Sequence, residues 1–178
     1  LHLVPSGVLH PNMLLYVGSG GVVNMEKLIG EIWDIERNNL VLEDRLFISD
    51  QATVIQPHHL LLDRMMGKAI GTTGNGIGPA YADQALRQDG NYLKNLRLGD
   101  VFDDPDLAKE TMVGNYLQAM SLLALQGLRG EGMDVRQINQ KAEEIIAIAQ
   151  SFQKILCRDP LFLDDLVRKG KNVLFEGA

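Results

Sequence analysis

The sequence predicts an α/β protein: a mainly parallel sheet flanked by helices, with a helical insertion over about residues 104–168. Three observations carry this expectation. MLLYVGSGGVVN and MEKLIGEIWDIER, residues 13–37, read in succession as a short buried strand, a glycine turn and an amphipathic helix. RLFISD, residues 45–50, is a second strand. From Asp104 onward helical patterns dominate, until NVLFEGA, residues 172–178, returns to a β-branched and aromatic run.

Each element follows from local chemistry. Asn24 is placed to cap the first helix, whose Leu28, Ile29, Ile32 and Ile35 share one face at helical spacing. HHLLLDRMM forms a short helix that ends where Gly67 opens a loop region. PAYADQALR is a helix with Pro79 in its first turn, and its polarity predicts an exposed element. DPDLAKETMVGNYLQAMSLLALQGLRG and VRQINQKAEEIIAIAQSFQKILCR are two long amphipathic helices joined by the glycine-rich GEGMD. LFLDDLVRKG is a third, stopped by Gly170 as a C-cap, and NVLFEGA is a buried strand. The expected organisation is a single, partial α/β domain over residues 1–178, with a helical subregion at 104–168.

Composition narrows the function classes. A chain of 178 residues that is 46% hydrophobic and 22% charged has the make-up of a folded globular domain, not of a disordered or disulfide-built one. A net charge of -6 argues against a nucleic-acid surface, which needs lysines and arginines in series, yet leaves small anionic ligands open. Cys157 is the single cysteine, so neither an internal disulfide nor a thiolate metal cluster is expected, and a reducing, cytoplasmic setting fits. No apolar run approaches the roughly 20 residues of a membrane span. Both ends read as interior segments, because LHLVPSG lacks an initiator Met and NVLFEGA stops just as a strand reaches a glycine.

The segment most suggestive of chemistry is GTTGNGIGPAY, residues 71–81. It is neither a P-loop, since no GK[ST] follows, nor a dinucleotide fingerprint. Gly71, Gly74 and Gly76 permit positive φ and close approach, Thr72 and Thr73 bring hydroxyls, and the following helix start adds free N–H groups. Two readings stand: a cradle for a phosphate or carboxylate, and a mobile surface loop. Arg87 is a candidate phosphate clamp or a solvated helix arginine. His58 and His59, beside Pro57 at a helix start, are expected to cap or to pack at the surface, since a metal site needs more ligands than they supply. Asp103, Asp104 and Asp106 suit a helix N-terminus, and Met65, Met66, Met112 and Met120 suit core gaps.

Taken together, GTTGNGIGPAYADQALR resembles the signature of the adenylosuccinate synthetase family, G-T-T followed by G-I-G-P-x-Y-x-x-K-x-x-R. LHLVPSGVLHP, VGSGGVVN, FISDQATVI, LRLGDVF and NVLFEGA are similar to further landmarks of that family in the same order. The resemblance covers the whole chain but only the middle portion of a family member. It implies GTP-dependent ligation of inosine monophosphate (IMP) and L-aspartate to adenylosuccinate in AMP biosynthesis, with Mg2+ on the phosphates and a homodimer as the assembly. It also implies that Thr73 contacts the IMP 5'-phosphate, with Gly71, Thr72, Gly74 and Gly76 supporting the loop, and that Arg87 reaches the same nucleotide across the dimer interface. The chain departs from the pattern at three cationic positions: Gln84 stands for the signature lysine, Asn75 for a basic residue, and Gln51 for an arginine. The span from His59 to Gly71 is shorter than is usual there, and GNYLKN is an insertion.

The family's N-terminal phosphate loop, its catalytic aspartate and histidine, and most of its GTP and Mg2+ ligands are expected before Leu1 or after Ala178. No catalytic or metal-binding residue is therefore expected within these residues, and the isolated segment is expected to be inactive. The alternative is a non-catalytic fragment or degenerate relative that keeps the fold or dimer surface alone.

Overall fold

The computed structural model describes residues 3–66, 71–86, 94–128 and 132–176. Two parallel sheets organise the α/β part. The first holds β1 (Leu15–Val17), β3 (Leu46–Ser49) and β5 (Leu156–Cys157) in the order β1-β3-β5. The second pairs β2 (Val22–Val23) with β4 (Thr53–Val54). Parallel neighbours cannot be joined by a hairpin, and α1 (Met25–Arg37) is the crossover between them. It starts where expected, with the Asn24 side chain accepting from the Lys27 N–H at 3.1 Å. Leu28 and Ile35 of its apolar face are buried, while Ile29 and Ile32 are partly covered.

The pleat of β3 sorts its side chains between two helical layers. Leu46 and Ile48 are buried in the main core with Leu15, Leu28 and the small face of α6 (Val135–Ser151). Phe47 and its register partner Tyr16 take the other side, each with its ring centroid 5.1 Å from Phe162 on α7 (Phe162–Arg168). The sheet thus lies between α1 and α6 on one face and α7 on the other.

α2 (Pro57–Met66), α3 (Ile77–Ala85), α4 (Leu98–Asp103) and α5 (Pro105–Leu125) complete the helices in chain order before α6. α5 and α6 form the expected antiparallel hairpin: Met112 and Ala119 of one helix, and Ile138, Ala142 and Ala149 of the other, are fully buried. Met65 and Met120 pack against the second apolar cluster, around Tyr116 and Leu123, as gap-fillers. Asp104 caps α5 through the Leu107 N–H, and Asp106 lies in its first turn, as the acid-at-the-N-terminus reading requires. Asp103 instead pairs with Arg158 at 2.7 Å, and that hydrogen bond holds its carboxyl below the usual range.

Three expectations are corrected. The helix read over residues 135–158 stops at Ser151; a single 3-10 turn follows, and Leu156 and Cys157 become a strand beside β3. β-sheet pairing with Ile48 and Ser49 overrides the helical pattern there. NVLFEGA forms no strand over its described residues: Leu174 and Phe175 are 87% and 83% exposed, with no neighbouring strand among the described residues to accept their backbone groups. α3 is not wholly exposed, because Ala80 and Asp83 are buried against α2. No helix among the described residues is long and apolar enough to cross a membrane.

These burials separate two apolar truncations. Ile48→Ala, at a fully buried position of the central strand, is expected to cost about 2–5 kcal/mol in a urea titration. Leu174→Ala should stay within about 0.5 kcal/mol of the parent. Equal losses at the two positions would contradict the absence of a strand at residues 171–176.

Candidate functional site

The two short strands β2 and β4 determine what converges on the glycine segment. They pair in parallel, Val22 with Thr53 and Val23 with Val54. Each runs almost directly into a helix, β2 into α1 and β4 into α2. Parallel pairing therefore delivers both helix starts to the same edge. Ile55 seals this junction by donating its N–H to the Val23 carbonyl at 2.9 Å. α3 packs across the end of these strands and along α2, which places the segment before it, residues 71–76, beside α1 and α2.

That segment is held by its backbone. Gly71, Gly74 and Gly76 have φ of 70°, 69° and 76°, values that a side chain strongly disfavours. At Gly76 the space is closed as well, since a Cβ would lie 3.0 Å from His59 Cβ and 3.1 Å from His59 C. The Gly76 N–H donates to Asp63 Oδ2 at 2.8 Å, and the Thr72 hydroxyl donates to the Asp63 carbonyl at 3.4 Å. Asp63 thus ties both ends of the segment to α2. Ile77 and Gly78 open α3, so their N–H groups have no intrahelical carbonyl, and Pro79 supplies no donor. Between the segment and α2 lies a cavity of about 340 Å³, lined among others by Asp63, Arg64, Thr72, Thr73 and Gly74.

Behind the segment, α2 and α3 are locked by a buried carboxylate. Asp83 Oδ2 accepts from His58 Nε2 at 2.8 Å and from His59 Nε2 at 3.0 Å, and both histidines are fully buried. The expectation of surface packing is overturned. The capping half survives, since His59 Nδ1 accepts the Gln56 N–H at 2.9 Å. That bond puts the His59 proton on Nε2, facing Asp83. Burial pushes His58 down to about 4, against the opposing effect of its hydrogen bond to Asp83. For Asp83, burial raises the pKa, yet hydrogen bonds from His58 and His59 outweigh it and hold the group below its ordinary value.

The three ligating atoms lie within 4.8 Å of one another, close enough to suggest a metal site. His59 could ligate through Nε2 only by giving up the proton that the Gln56 N–H forces onto it. The cluster is instead a neutral pair of imidazoles donating to one carboxylate. The sequence signal was faint: adjacent histidines, and an aspartate 25 residues beyond the first.

The sequence-predicted site residues fall as follows. Thr72 and Thr73 border the cavity, Gly71, Gly74 and Gly76 shape the turn, and Gly76 starts α3. α3 ends at Ala85, short of Arg87, which lies outside the described residues. Gln84 Nε2 donates to the Ser19 carbonyl at 3.3 Å, joining α3 to the glycine turn after β1. The other two neutral positions each touch a cation from elsewhere: Asn75 Oδ1 accepts from Lys27 Nζ, and Gln51 Oε1 from Arg97.

Parallel strands joined through crossover helices define an α/β protein. The family follows from direct comparison. Residues 1–178 match the adenylosuccinate synthetase family model, and the chain belongs to that family. It is 39% identical over 178 residues to adenylosuccinate synthetase 2 of Cupriavidus pinatubonensis, and all of it aligns with 36% of that protein. Identity to the adenylosuccinate synthetase of Haemophilus influenzae strain PittGG is 33% over 183 residues, again across the whole chain and 40% of the relative. The fold is similar to that of the fully ligated adenylosuccinate synthetase from Plasmodium falciparum, with a TM-score of 0.76, 26% identity, and coverage of 100% of this chain and 39% of the other. The chain therefore spans well under half the length of these relatives.

The buried cluster makes stability depend on pH with a definite sign. Folded His58 stays neutral down to about 4, whereas the unfolded chain takes up that proton near 6.5. As pH falls, the unfolded state binds the proton first, so folding should lose roughly 3 kcal/mol between pH 6.5 and 4. The contribution of Asp83 is present above its unfolded value of 3.8 and fades only below this window, as pH drops through its lowered folded value. Urea midpoints should fall across pH 6.5 to 4, and His58→Phe should flatten that fall. An identical slope in both proteins would show that His58 titrates normally.

Proposed function

We propose that this chain supplies part of the IMP site of a GTP-dependent ligase that joins IMP to L-aspartate, forming adenylosuccinate. The observation that carries the reading is the glycine turn of residues 71–76, with three positive-φ glycines and Thr72 and Thr73 on one cavity. With the Gly76 N–H and the Thr72 hydroxyl bonded to Asp63, the Thr73 hydroxyl and the free N–H groups that open α3 are the donors left to suit the oxygens of a phosphate. In this reading Thr73 donates to the IMP 5'-phosphate, and Arg87, from the partner subunit of a homodimer, closes on the same group. The phosphate is remote from the purine. Its binding energy would orient the purine so that O6 takes the γ-phosphoryl group of GTP and the aspartate amine then displaces that phosphate, a reaction that depends on positioning and electrostatics.

GTP and Mg2+ belong to the family's reaction. Among the described residues the one cluster of metal-ligating groups is two imidazoles and a carboxylate already bonded to one another, a poor match for an ion that prefers an octahedron of oxygens. The catalytic groups are taken to lie in the parts of the synthetase that this chain does not span, and the 178 residues alone are expected to form no adenylosuccinate in a coupled assay.

A second reading, a non-catalytic relative that keeps the fold, is favoured by Gln84, a neutral amide engaged with the Ser19 carbonyl. A ligase assay of the complete protein separates the two, since turnover would remove the second reading.

For the site itself, Thr73→Ala should weaken IMP binding by about ten- to one-hundred-fold, the loss of one hydrogen bond to a charged group at roughly 1.5–3 kcal/mol. Arg87→Leu should weaken it at least as much. GTP affinity should be unchanged in both variants of the complete protein, as read by calorimetry. IMP affinity at the parent level in both would remove the assignment.

A further inference from the structure

From Gly71 to Ala82 the chain carries no charged side chain. An anion seated on this segment would meet N–H groups and hydroxyls but no cation of its own sequence. The cavity wall also carries a charge of the wrong sign: Asp63, whose carboxylate is committed to the Gly76 N–H. A buried carboxylate beside an anion site needs an opposing charge, or the site repels what it is shaped to hold.

One cation from outside the segment lines that cavity, and a second reaches the segment at Asn75 without lining it. Arg64, next to Asp63 on α2, is exposed and lines the same cavity as Thr72 and Thr73. Its Nε donates to the Leu60 carbonyl at 3.2 Å, and it forms no ion pair among the described residues. Lys27, in the first turn of α1, is exposed and donates from Nζ to Asn75 Oδ1. It too has no acidic partner among the described residues. The Arg45 and Arg97 side chains likewise bond carbonyl or amide oxygens and, among the described residues, no carboxylate, so it is the place of Arg64 on the cavity wall that sets it apart.

We propose that Arg64 and Lys27 are the cations of the glycine segment, pairing with the anionic group of the small molecule that seats against Thr72 and Thr73. The guanidinium fork bonds two oxygens at once, while the ammonium, resting on Asn75, acts as a point charge that exchanges an amide for the anion. The proposal rests on the reading of this segment as an anion site. Two substrate groups share the required chemistry, the nucleotide 5'-phosphate and an amino-acid carboxylate.

The test uses the complete protein with Arg64→Gln, Lys27→Gln, the double variant and Arg64→Lys, measuring IMP and inosine dissociation constants and the KM for L-aspartate. Both side chains are exposed, so the variants should melt with the parent. If the phosphate is the anion, the double variant should weaken IMP at least 30-fold, leave inosine unchanged, and lose less at high salt. If a carboxylate is the anion, the KM for aspartate should rise to a similar extent with IMP unaffected. Arg64→Lys should recover part of either loss. The proposal is overturned if the double variant binds IMP and aspartate within two-fold of the parent while Thr73→Ala still weakens IMP, a result that leaves the loop reading intact. If Thr73→Ala also binds IMP normally, the loop reading itself falls, and the proposal with it.

Discussion

The candidate site depends on one buried carboxylate. Asp83 on α3 accepts from both histidines of α2, and all three side chains are buried. A lone buried carboxylate would be costly, and two neutral donors make it tolerable. In return the bonds fix the position of α3 along α2. Gly76 starts α3 while packed against His59, so the same bonds set where the glycine turn must close. Asp63 then needs only to bind the Gly76 N–H to hold the turn against α2.

This arrangement divides labour between support and contact. Groups that hold the segment, namely His58, His59, Asp83 and Asp63, are buried. Thr72 and Thr73, which border the cavity, are exposed. The three positions where the family pattern loses a cation are also not equivalent. Asn75 and Gln51 each rest against a cation from another element, whereas Gln84 bonds a backbone carbonyl. Neutral residues at the first two leave positive charge in place locally. At Gln84 the amide serves as a strut between α3 and the turn after β1.

Much of this was legible in the sequence, for identifiable reasons. The cap at Asn24, the strand at residues 45–50 and the helical hairpin are encoded by local spacing, which survives folding almost unchanged. The glycine turn was legible because positive φ selects residue type directly. The histidine cluster was not, since its meaning depends on Asp83, which folding brings close from a helix whose polarity suggested exposure. Pattern also misled at Leu156 and Cys157, where apolar residues in helical phase were taken up by the edge of β3. At Leu174 and Phe175 it misled in the opposite sense, because strand-forming residues need a neighbour to pair with.

The pairing of β2 with β4 also bears on the order of folding. These strands are two residues each, and their contacts close long loops: Val22 meets Thr53, and Thr53 in turn bridges Arg97. Such closures carry an entropic cost before they return any stabilisation. The helical hairpin, by contrast, is made largely of contacts along each helix and across one short connection. In refolding, α5 and α6 should therefore condense early, and the junction that gathers α1, α2 and the glycine turn should be among the last parts to assemble. Binding competence would then lag behind compactness, so a ligand present during refolding would meet a chain already collapsed but not yet able to hold it.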